Sequence, residues 1–292
     1  MIKEVEKLIS DYRQYLFDSG LAEKTIVSYV SDIRHYRNFL ESIGELLSLE
    51  MKRHHIVQYK KKLINDNKSV ATINKAINSL YSYNGYLKSI NSETLMVVNV
   101  SRDKIKVARG SESEVEVFSD EEIARILDEV NDCSIRDKLI VYILLYTGVR
   151  VSELVGIRVS DVDVLSRQLK VIGKGGKMRE IYLRKEILDT FDEYVRNERA
   201  THAYTNIENL LLSQRGPLKA NGINKLLNRL GDKLGIEIFP HKFRHTVCSQ
   251  LIKRGVDIVT VAKITGHANI NTTAQYYVNV SKKDKQNAID LL

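Results

Sequence analysis

Residues 139–154, "LIVYILLYTGVRVSEL", begin with an unbroken apolar run and end in a polar segment. A helix that is apolar on every side belongs in a protein core. The run stops at a Thr-Gly pair, and Arg150 follows the glycine by two positions. An arginine at that point either satisfies the last carbonyl groups of the helix or presents its charge at the rim of the core, and the residues leave both open. The stretch therefore predicts a helical core with a cation at its edge.

The segment that precedes this helix, "FSDEEIARILDEV" at 118–130, carries the signature of a helix start. Ser119 is a good N-cap residue, and Glu122 stands three positions later, where its side chain can reach back to the N-cap backbone. Apolar residues then recur at spacings of three and four. We predict that a helix begins after Ser119 and that a domain begins near Phe118.

The segment that follows, "QLKVIGKGGKMREIYL" at 168–183, predicts a β-hairpin. Two runs of alternating apolar and polar residues flank a Gly-Lys-Gly-Gly turn, which places Lys174 or Lys177 at the hairpin tip. Taken singly, these lysines are as well explained by solubility as by function. Further helices are predicted from about residue 185 to the end of the chain.

The first 90 or so residues predict helices throughout. Four amphipathic helices fit the apolar spacing, with Asn84 as a polar exception on the apolar face of the last one. The next stretch without a sustained period, rich in charges, Gly and Ser, reads as an interdomain linker. We therefore predict a mostly α fold with a small β-hairpin or sheet in the C-terminal domain. The predicted domains are a helical one at 1–100, a linker at 101–117 and a second domain at 118–292.

The charge of the chain points toward a polyanion as one possible partner. It has 292 residues, a net charge of +8 and a pI near 9.2. Residues 51–70 are strongly basic, with Asp66 as their one acid. Such a run is either a solvated helix face or a surface that follows a phosphate backbone. The cations of this basic stretch are Lys52, Arg53, Lys60, Lys61, Lys62 and Lys68.

Several other classes of protein are disfavoured by the residues. Cys133 and Cys248 lack metal-ligand spacing, and we interpret both as small core residues. His241 and His245 have the spacing of a zinc-binding helix but lack the accompanying Glu and a third ligand. The glycine-rich turn is no P-loop, and no serine sits in a nucleophile elbow. We predict no metal and no cofactor. Without a signal-like or membrane-spanning segment, a cytoplasmic location is predicted.

Four motifs in the second half follow one another in a specific order. Thr147, Gly148, Arg150, Glu153 and Leu154 form T-G-x-R-x-x-E-L, and Gly173, Lys174 and Gly175 form G-K-G. His241, Arg244 and His245 form H-x-x-R-H, and Gly266 and His267 are followed nine residues later by Tyr276. In this order the motifs resemble those of the tyrosine site-specific recombinase family, which includes the Xer recombinases and the phage and transposon integrases. The resemblance extends over most of the chain. One departure is Thr265, where the family has Leu, and we expect it to affect packing rather than chemistry.

The resemblance implies a reaction in which a tyrosine attacks a DNA phosphodiester, giving a 3′-phosphotyrosyl intermediate and a Holliday junction. It selects Tyr276 as the nucleophile through the offset from His267. Helical periodicity cannot choose between Tyr276 and Tyr277, because neighbouring residues lie about 100° apart on a helix and no apolar pattern favours one of them. Tyr277 is then a packing residue. Two alternatives remain: a DNA-binding protein of the same fold with reduced catalysis, or relaxation of DNA like a type IB topoisomerase.

The residue types suit the roles that the resemblance implies. Arg150 and Arg244 would bind the phosphate oxygens, on which negative charge develops, because a guanidinium stays charged and matches two oxygens at once. His241 and His267 would each add a donor, and His241 is our candidate for accepting the tyrosine proton. Lys174 would protonate the leaving 5′-oxygen, and Lys177 would contact phosphate. Glu153 would orient the arginines or His241.

The family also assigns partners to the chain. The helical domain and the catalytic domain would clamp double-stranded DNA, with a homotetramer acting on two sites, and a second recombinase or an accessory protein is possible. The segment "SVATINKAINSLYSY", 69–83, resembles part of the family's core-site-binding domain. The predicted DNA contacts are Lys52, Arg53, Lys60, Lys61, Lys62, Lys68, Thr72, Lys75 and Lys177. Association with the nucleoid follows from this role.

Overall fold

The computed structural model describes residues 2–106, 115–267 and 273, and the side chains among them except those of residues 2, 3 and 174. The chain forms two compact units, residues Met1–Glu112 and Ser113–Leu292. Each unit has its own hydrophobic core. None of the helices within the described ranges is both long and apolar enough to cross a membrane.

The first unit is helical, as predicted from the apolar spacing of its sequence. Helix α2 packs against α1, α3 and α4, so the apolar stripes of these helices face one another in a common core. Tyrosines are prominent in that core, and Tyr12, Tyr36 and Tyr83 are fully buried. The helices are α1 (Ile2–Asp18), α2 (Glu23–Ser42), α3 (Arg53–Asn65), α4 (Val70–Ile90) and α5 (Val100–Asp103).

The polar exception in α4 has a structural role. Asn84 is fully buried, and its side-chain amide donates to the carbonyl oxygen of Leu95 at 3.0 Å. Its Oδ1 accepts from the backbone N–H groups of Val97 and Val98 at 2.8 and 3.2 Å. An extended segment has backbone groups that must find partners when it is buried. Asn84 supplies those partners and fixes the chain that leaves α4.

The start of the stretch predicted as a linker lies within the first unit. The one-turn helix α5 carries Asp103, whose carboxylate receives both Nη atoms of Arg53 at 2.6 Å. A second tie is made by Asn74, which exchanges hydrogen bonds with the backbone of Ile105. Residues 100–105 are therefore packed against α3 and α4, because a bidentate Arg–carboxylate pair holds both position and orientation.

The second unit combines helices with two small antiparallel sheets, so the predicted mostly α fold with a small β element is confirmed. Helix α7 lies at its centre, packed against α9 and α11. The helices are α6 (Asp120–Glu129), α7 (Ile135–Thr147), α8 (Val151–Leu154), α9 (Lys185–Tyr194), α10 (Ala220–Leu234), α11 (Pro240–Lys253) and α12 (Ile258–Thr265). The strands are β1 (Val162–Asp163), β2 (Gln168–Ile172), β3 (Met178–Tyr182), β4 (Leu212–Ser213) and β5 (Gly216–Pro217).

The predicted hairpin is formed by β2 and β3. Its register runs from Gln168 opposite Tyr182 to Ile172 opposite Met178, and a single 3₁₀ turn, Lys174–Gly176, connects the strands. Gly175 and Gly176 both have positive φ, near 75°, which side chains with a Cβ rarely adopt. The short strand β1 adds a third member to this sheet and was not predicted.

Two local predictions around α6 and the cysteines can be compared with the structure. The Ser119 hydroxyl accepts from the Glu122 N–H at 3.1 Å, and the Glu122 carboxylate accepts from the Ser119 N–H at 2.8 Å, which confirms the capping box. Cys248 is a buried core residue, as predicted. Cys133 is only half-buried, at the end of the turn after α6, so its prediction as a core residue was wrong.

Candidate active site

The end of α7 and the start of α8 place Arg150 at the edge of the second unit's core. Gly148 ends α7 in the left-handed conformation, with φ of 62°, and a Cβ at that position would lie 3.3 Å from the Val247 side chain. Arg150 is the N-cap of α8, and its backbone N–H donates to Oε2 of Glu153 at 2.8 Å. The break after Thr147 is thus what turns the chain and exposes the guanidinium.

The Arg150 side chain lies between two anchors. Its Nη1 donates to Glu153 Oε1 at 3.0 Å, and its Nη2 donates to the carbonyl oxygen of Gly266 at 3.0 Å. Gly266 ends α12 in the left-handed conformation and lies 116 residues away in sequence. Arg150 therefore joins α8 to the segment that carries His267.

Glu153 is a buried carboxylate shared by two arginines. Besides Arg150, it receives Nη1 and Nη2 of Arg179 on its two oxygens, each at 2.9 Å. Burial acts to raise the pKa of the Glu153 carboxyl, but the hydrogen bonds from Arg179 and Arg150 outweigh it and hold the pKa below its usual value. Glu153 is therefore ionised at neutral pH.

Arg244 reaches the same region from α11. It is only 2% exposed, its Nη1 donates to the carbonyl oxygen of Gly148 at 2.8 Å, and its Nε donates to Nε2 of His267 at 3.1 Å. Its Nη2 is buried and has no hydrogen-bond partner within the described part of the chain. Burial and the nearby Arg150 charge lower the pKa of Arg244 to about 10, which leaves the guanidinium charged at neutral pH. The site therefore contains a buried cation with unused donor capacity.

His267 is held in a defined tautomer. Burial, followed by the charges of Arg244 and Arg150, lowers its pKa to about 4, so the ring is neutral at pH 7. Because Nε2 accepts from Arg244, the single ring proton belongs on Nδ1, which lies 2.8 Å from the Thr273 hydroxyl. In this arrangement His267 orients Arg244 through Nε2. Its role as a further donor to the phosphate stays a prediction.

Thr265 also touches His267. Its hydroxyl donates to the carbonyl oxygen of Val261 at 2.7 Å, so the oxygen that lies 3.4 Å from His267 Nδ1 can only accept there. The expectation that Thr265 affects packing alone is therefore incomplete, because this hydroxyl favours the same tautomer as Thr273 does. Leucine, which the family has at this position, has no hydroxyl.

His241 lies one turn before Arg244 on α11, as the spacing predicted. It is exposed, and its ring centroid lies 6.1 Å from that of His245. Although part of the ring surface is open, partial desolvation by the neighbouring protein atoms, followed by the charges of Arg244 and Arg150, lowers the pKa of His241, so the neutral ring prevails at pH 7. A neutral imidazole beside two guanidinium groups can accept a proton.

The remaining predicted catalytic residues are less fully described. The backbone of Lys174 lies in the tip of the β2–β3 hairpin, and its side chain is outside the description. Lys177 is exposed, and its carbonyl oxygen closes the hairpin by accepting from the Gly173 N–H at 2.8 Å. Tyr276 and Tyr277 lie outside the described residues. Thr273, three positions before Tyr276, is buried and bonded to His267 as stated above.

The predicted DNA contacts in the first unit divide into paired and unpaired cations. Arg53 is paired with Asp103, and its role as a DNA contact stays a prediction. Lys62 pairs with Asp66 at 2.6 Å and Lys75 with Asp32 at 3.1 Å, while Lys52 lies 3.4 Å from Glu45. Lys60, Lys61 and Lys68 are not ion-paired with any carboxylate of the described ranges, and Thr72 is an exposed residue of the first turn of α4.

Histidine, cysteine and acidic side chains do not assemble into a metal site within the described ranges. No group of three such side chains there is arranged to hold a metal ion. The cations of the site, Arg150 and Arg244, instead provide fixed positive charge for binding an anion.

Arg179 was not predicted as a residue of the site. It lies on β3, where an alternating strand pattern makes a charged residue look like part of the solvent-facing side. In the structure it is largely buried against Glu153. The only local signal was its place in the strand that follows the G-K-G turn.

Comparison with known proteins shows the family of the chain. The model of the phage integrase family matches residues 116–284, and a model described as phage integrase, N-terminal SAM-like domain, matches residues 8–90. Since the first match covers more than half of the chain, the chain belongs to the phage integrase family. With this site and this fold it is a tyrosine recombinase, an enzyme of site-specific recombination.

Two relatives show how far the similarity extends along the chain. This chain is 30% identical over 271 residues to tyrosine recombinase XerC of Staphylococcus epidermidis, and the match covers 89% of this chain and 88% of the relative. It is 29% identical over 282 residues to tyrosine recombinase XerA of Thermococcus kodakarensis, covering 96% and 93%. Among solved structures, the Tn1549 transposon integrase in complex with transposon right end DNA has the same fold. Its TM-score is 0.73 at 20% identity, with 97% of this chain and 98% of that chain covered.

Proposed function

We propose that this recombinase binds a double-stranded DNA site, cleaves it through Tyr276 and rejoins it after exchange through a Holliday junction. The intermediate is a 3′-phosphotyrosyl bond, which conserves the energy of the phosphodiester so that no cofactor is needed. The biological setting is the resolution of chromosome dimers or cointegrates, or the integration of a mobile element. The solved relatives bound to DNA and the basic charge of the chain support DNA as the partner.

The observation that carries this proposal is the joining of two guanidinium groups to one short segment. Arg150 donates to the carbonyl oxygen of Gly266, and Arg244 donates to the ring of His267. Tyr276 follows His267 by nine residues. Fixed cations suit in-line attack on a phosphodiester, because negative charge develops on the non-bridging oxygens.

The same arrangement supports a path for the tyrosine proton. A free tyrosine has a pKa of about 10 and is neutral at pH 7, so Tyr276 must lose its proton as it attacks. His241 has a lowered pKa and is neutral, so it can accept that proton. The imidazolium that forms can return the proton when the DNA hydroxyl attacks the phosphotyrosine and the tyrosine leaves.

A strand-exchange assay tests the proposed function. The site is first selected from a random duplex library with the purified protein. Two duplexes of different length carrying that site are then mixed with the protein. We expect duplexes with exchanged arms and, by mass measurement of the paired complex, four protein copies on two sites. Relaxation of a supercoiled plasmid without exchanged duplexes would support the topoisomerase alternative, and binding without cleavage would support a protein of reduced catalysis.

We expect Lys174 to act as the general acid for the leaving 5′-oxygen. Lys174→Ala should slow cleavage of ordinary DNA by roughly 100-fold or more, the scale of general acid catalysis. On a substrate whose bridging 5′-oxygen is replaced by sulfur, the thiolate leaves without a proton, so the variant should recover most of the wild-type rate. Single-turnover cleavage of both substrates measures this.

Lys177→Ala and Arg150→Ala are the controls for that experiment. Lys177 lies three residues away on the same exposed hairpin, so Lys177→Ala should change the cleavage rates of the two substrates by the same factor. Arg150→Ala removes stabilisation of the negative charge on the phosphate, which cleavage of the sulfur substrate still needs. The cleavage rate of this variant should therefore stay low on both substrates. Recovery of Lys177→Ala in place of Lys174→Ala would transfer the role to Lys177.

A further inference from the structure

Arg179 and Arg150 bind the buried Glu153 carboxylate in different ways. Arg179 forms a bidentate fork, with one Nη on each carboxylate oxygen at 2.9 Å. Arg150 offers Nη1 alone to Oε1 at 3.0 Å, and its backbone N–H takes Oε2. Two parallel charge-assisted hydrogen bonds are stronger than one and fix the plane of the pair. Arg179 is therefore the main ion-pair partner of Glu153.

The balance of charge in this cluster depends on Arg179. One carboxylate and two guanidinium groups carry a net charge of +1. Without Arg179, the buried Glu153 carboxylate and the Arg150 guanidinium would form a pair with no net charge. A neutral pair attracts a phosphate much less than a guanidinium whose charge is not cancelled. Because Arg179 balances the negative charge of Glu153, the positive charge of Arg150 remains available to attract a phosphate.

Arg179 is held rigidly for this task. Its Nε donates to the carbonyl oxygen of Ile264 at 3.0 Å. Its guanidinium lies against Gly266, where a Cβ would come within 2.8 Å of Nη1 and 2.9 Å of Cζ. Glycine at 266 is therefore needed twice, for its φ of 70° and for this close approach. The Gly266 carbonyl in turn accepts from Arg150, so both arginines share one segment.

We propose that Arg179 is a positioning residue that serves as the counter-ion of Glu153 and so keeps the positive charge of Arg150 available to the DNA phosphate. It acts through Glu153. The inference rests on the proposed role of Arg150 at the cleaved phosphate. It also gives Glu153 a defined purpose, which is to cap α8 and orient Arg150 without neutralising it.

A suppressor experiment separates this role from simple support of the fold. Cleavage is measured as single-turnover formation of the protein–DNA adduct on a nicked suicide duplex carrying the selected site, with protein in excess. Arg179→Met should lower the rate by roughly ten- to a hundred-fold, which lies within the range of coupling energies between residues of one ion-pair network. Adding Glu153→Gln should raise the rate clearly above that of Arg179→Met, because Gln is neutral and its Oε1 can accept from Arg150 Nη1. Recovery should be incomplete, because the amide nitrogen cannot accept from the Arg150 backbone N–H as Oε2 does.

Several outcomes would overturn the inference. If Arg179 only supported the fold, the double variant would be at least as slow as Arg179→Met, since two partners of one network would be lost. Arg179→Lys keeps the charge and loses the fork, so it should be faster than Arg179→Met even if the latter is destabilised. Equal cleavage rates for Arg179→Lys and Arg179→Met would count against a counter-ion role. Thermal unfolding of each variant separates loss of folding from loss of rate.

The matched control is Arg158→Met, which removes an exposed Arg–Glu pair of the same unit. Arg158 lies 2.9 Å from Glu208, and both side chains are well exposed, so the pair contributes little. The cleavage rate of Arg158→Met should equal that of the wild type. Failure of the wild-type protein to form any adduct would contradict the proposed function itself, whereas a wild-type adduct without suppression would contradict the role of Arg179 alone.

Discussion

Tyr276→Phe should abolish the covalent adduct between the protein and a nicked suicide duplex. Phenylalanine keeps the ring and removes the only oxygen that can attack the phosphorus, so no residual rate through this side chain is expected. The choice of Tyr276 comes from its nine-residue offset from His267. It is supported by Thr273, which bonds to His267 only three residues before the tyrosine.

Tyr277→Phe is the matched control for the nucleophile. It removes the same hydroxyl one position later and should leave the adduct intact. The adduct is measured by denaturing gel, and the peptide that carries the nucleotide is identified by mass spectrometry after digestion. DNA binding by both variants, measured by gel shift, should resemble that of the wild type. An adduct retained by Tyr276→Phe and lost by Tyr277→Phe would reverse the assignment.

Replacing either arginine of the site by lysine should lower cleavage by at least about 100-fold, the scale on which one preorganised charge-stabilising donor contributes. Lysine keeps the charge but has a single ammonium group in place of a planar fork. In Arg244→Lys, one nitrogen cannot reproduce both the bonds to Gly148 and His267 and the Nη2 donor, which is unpaired within the described residues. The loss should therefore be large although the charge is retained.

The expected pattern distinguishes transition-state stabilisation from binding. DNA affinity, measured by gel-shift titration at fixed salt, should change far less than the single-turnover cleavage rate. Arg196→Lys is the control, because Arg196 is exposed and pairs with Asp192 one turn away on the surface. Its rate should be unchanged. Equal losses in affinity and rate for Arg150→Lys would mean that the arginine serves ground-state binding.

Much of the fold could be predicted because it follows from local patterns. The capping box at Ser119, the apolar periods of the first unit and the alternating strands of the hairpin each involve residues a few positions apart. Neighbouring residues in sequence are neighbours in a helix or strand, so spacing alone carries the information. The one-turn helix α5 and strand β1 were missed because two to four residues carry no period.

The surroundings of charged residues could not be predicted in the same way. Arg53 looked like one more cation of the basic stretch, yet its partner Asp103 lies 50 residues further along the chain. Arg179 looked like a surface residue of a strand, yet it binds Glu153 across 26 residues. A charged side chain is buried when it forms an ion pair, and the spacing of residues along the chain does not show which distant residue will be its partner.

By itself, the sequence determined the helical character of both halves and the hairpin with a lysine at its tip. It also carries the ordered motifs whose resemblance to the family selects one candidate set: Arg150, Glu153, Lys174, His241, Arg244, His267 and Tyr276. The tertiary structure alone decided how the members of that set act on one another. It assigned Arg179 to Glu153, turned His267 into an acceptor for Arg244, and brought the Thr265 hydroxyl to the same ring. The physical reason is that residue types define which hydrogen bonds and ion pairs are possible, whereas the packing of distant segments selects which of them form.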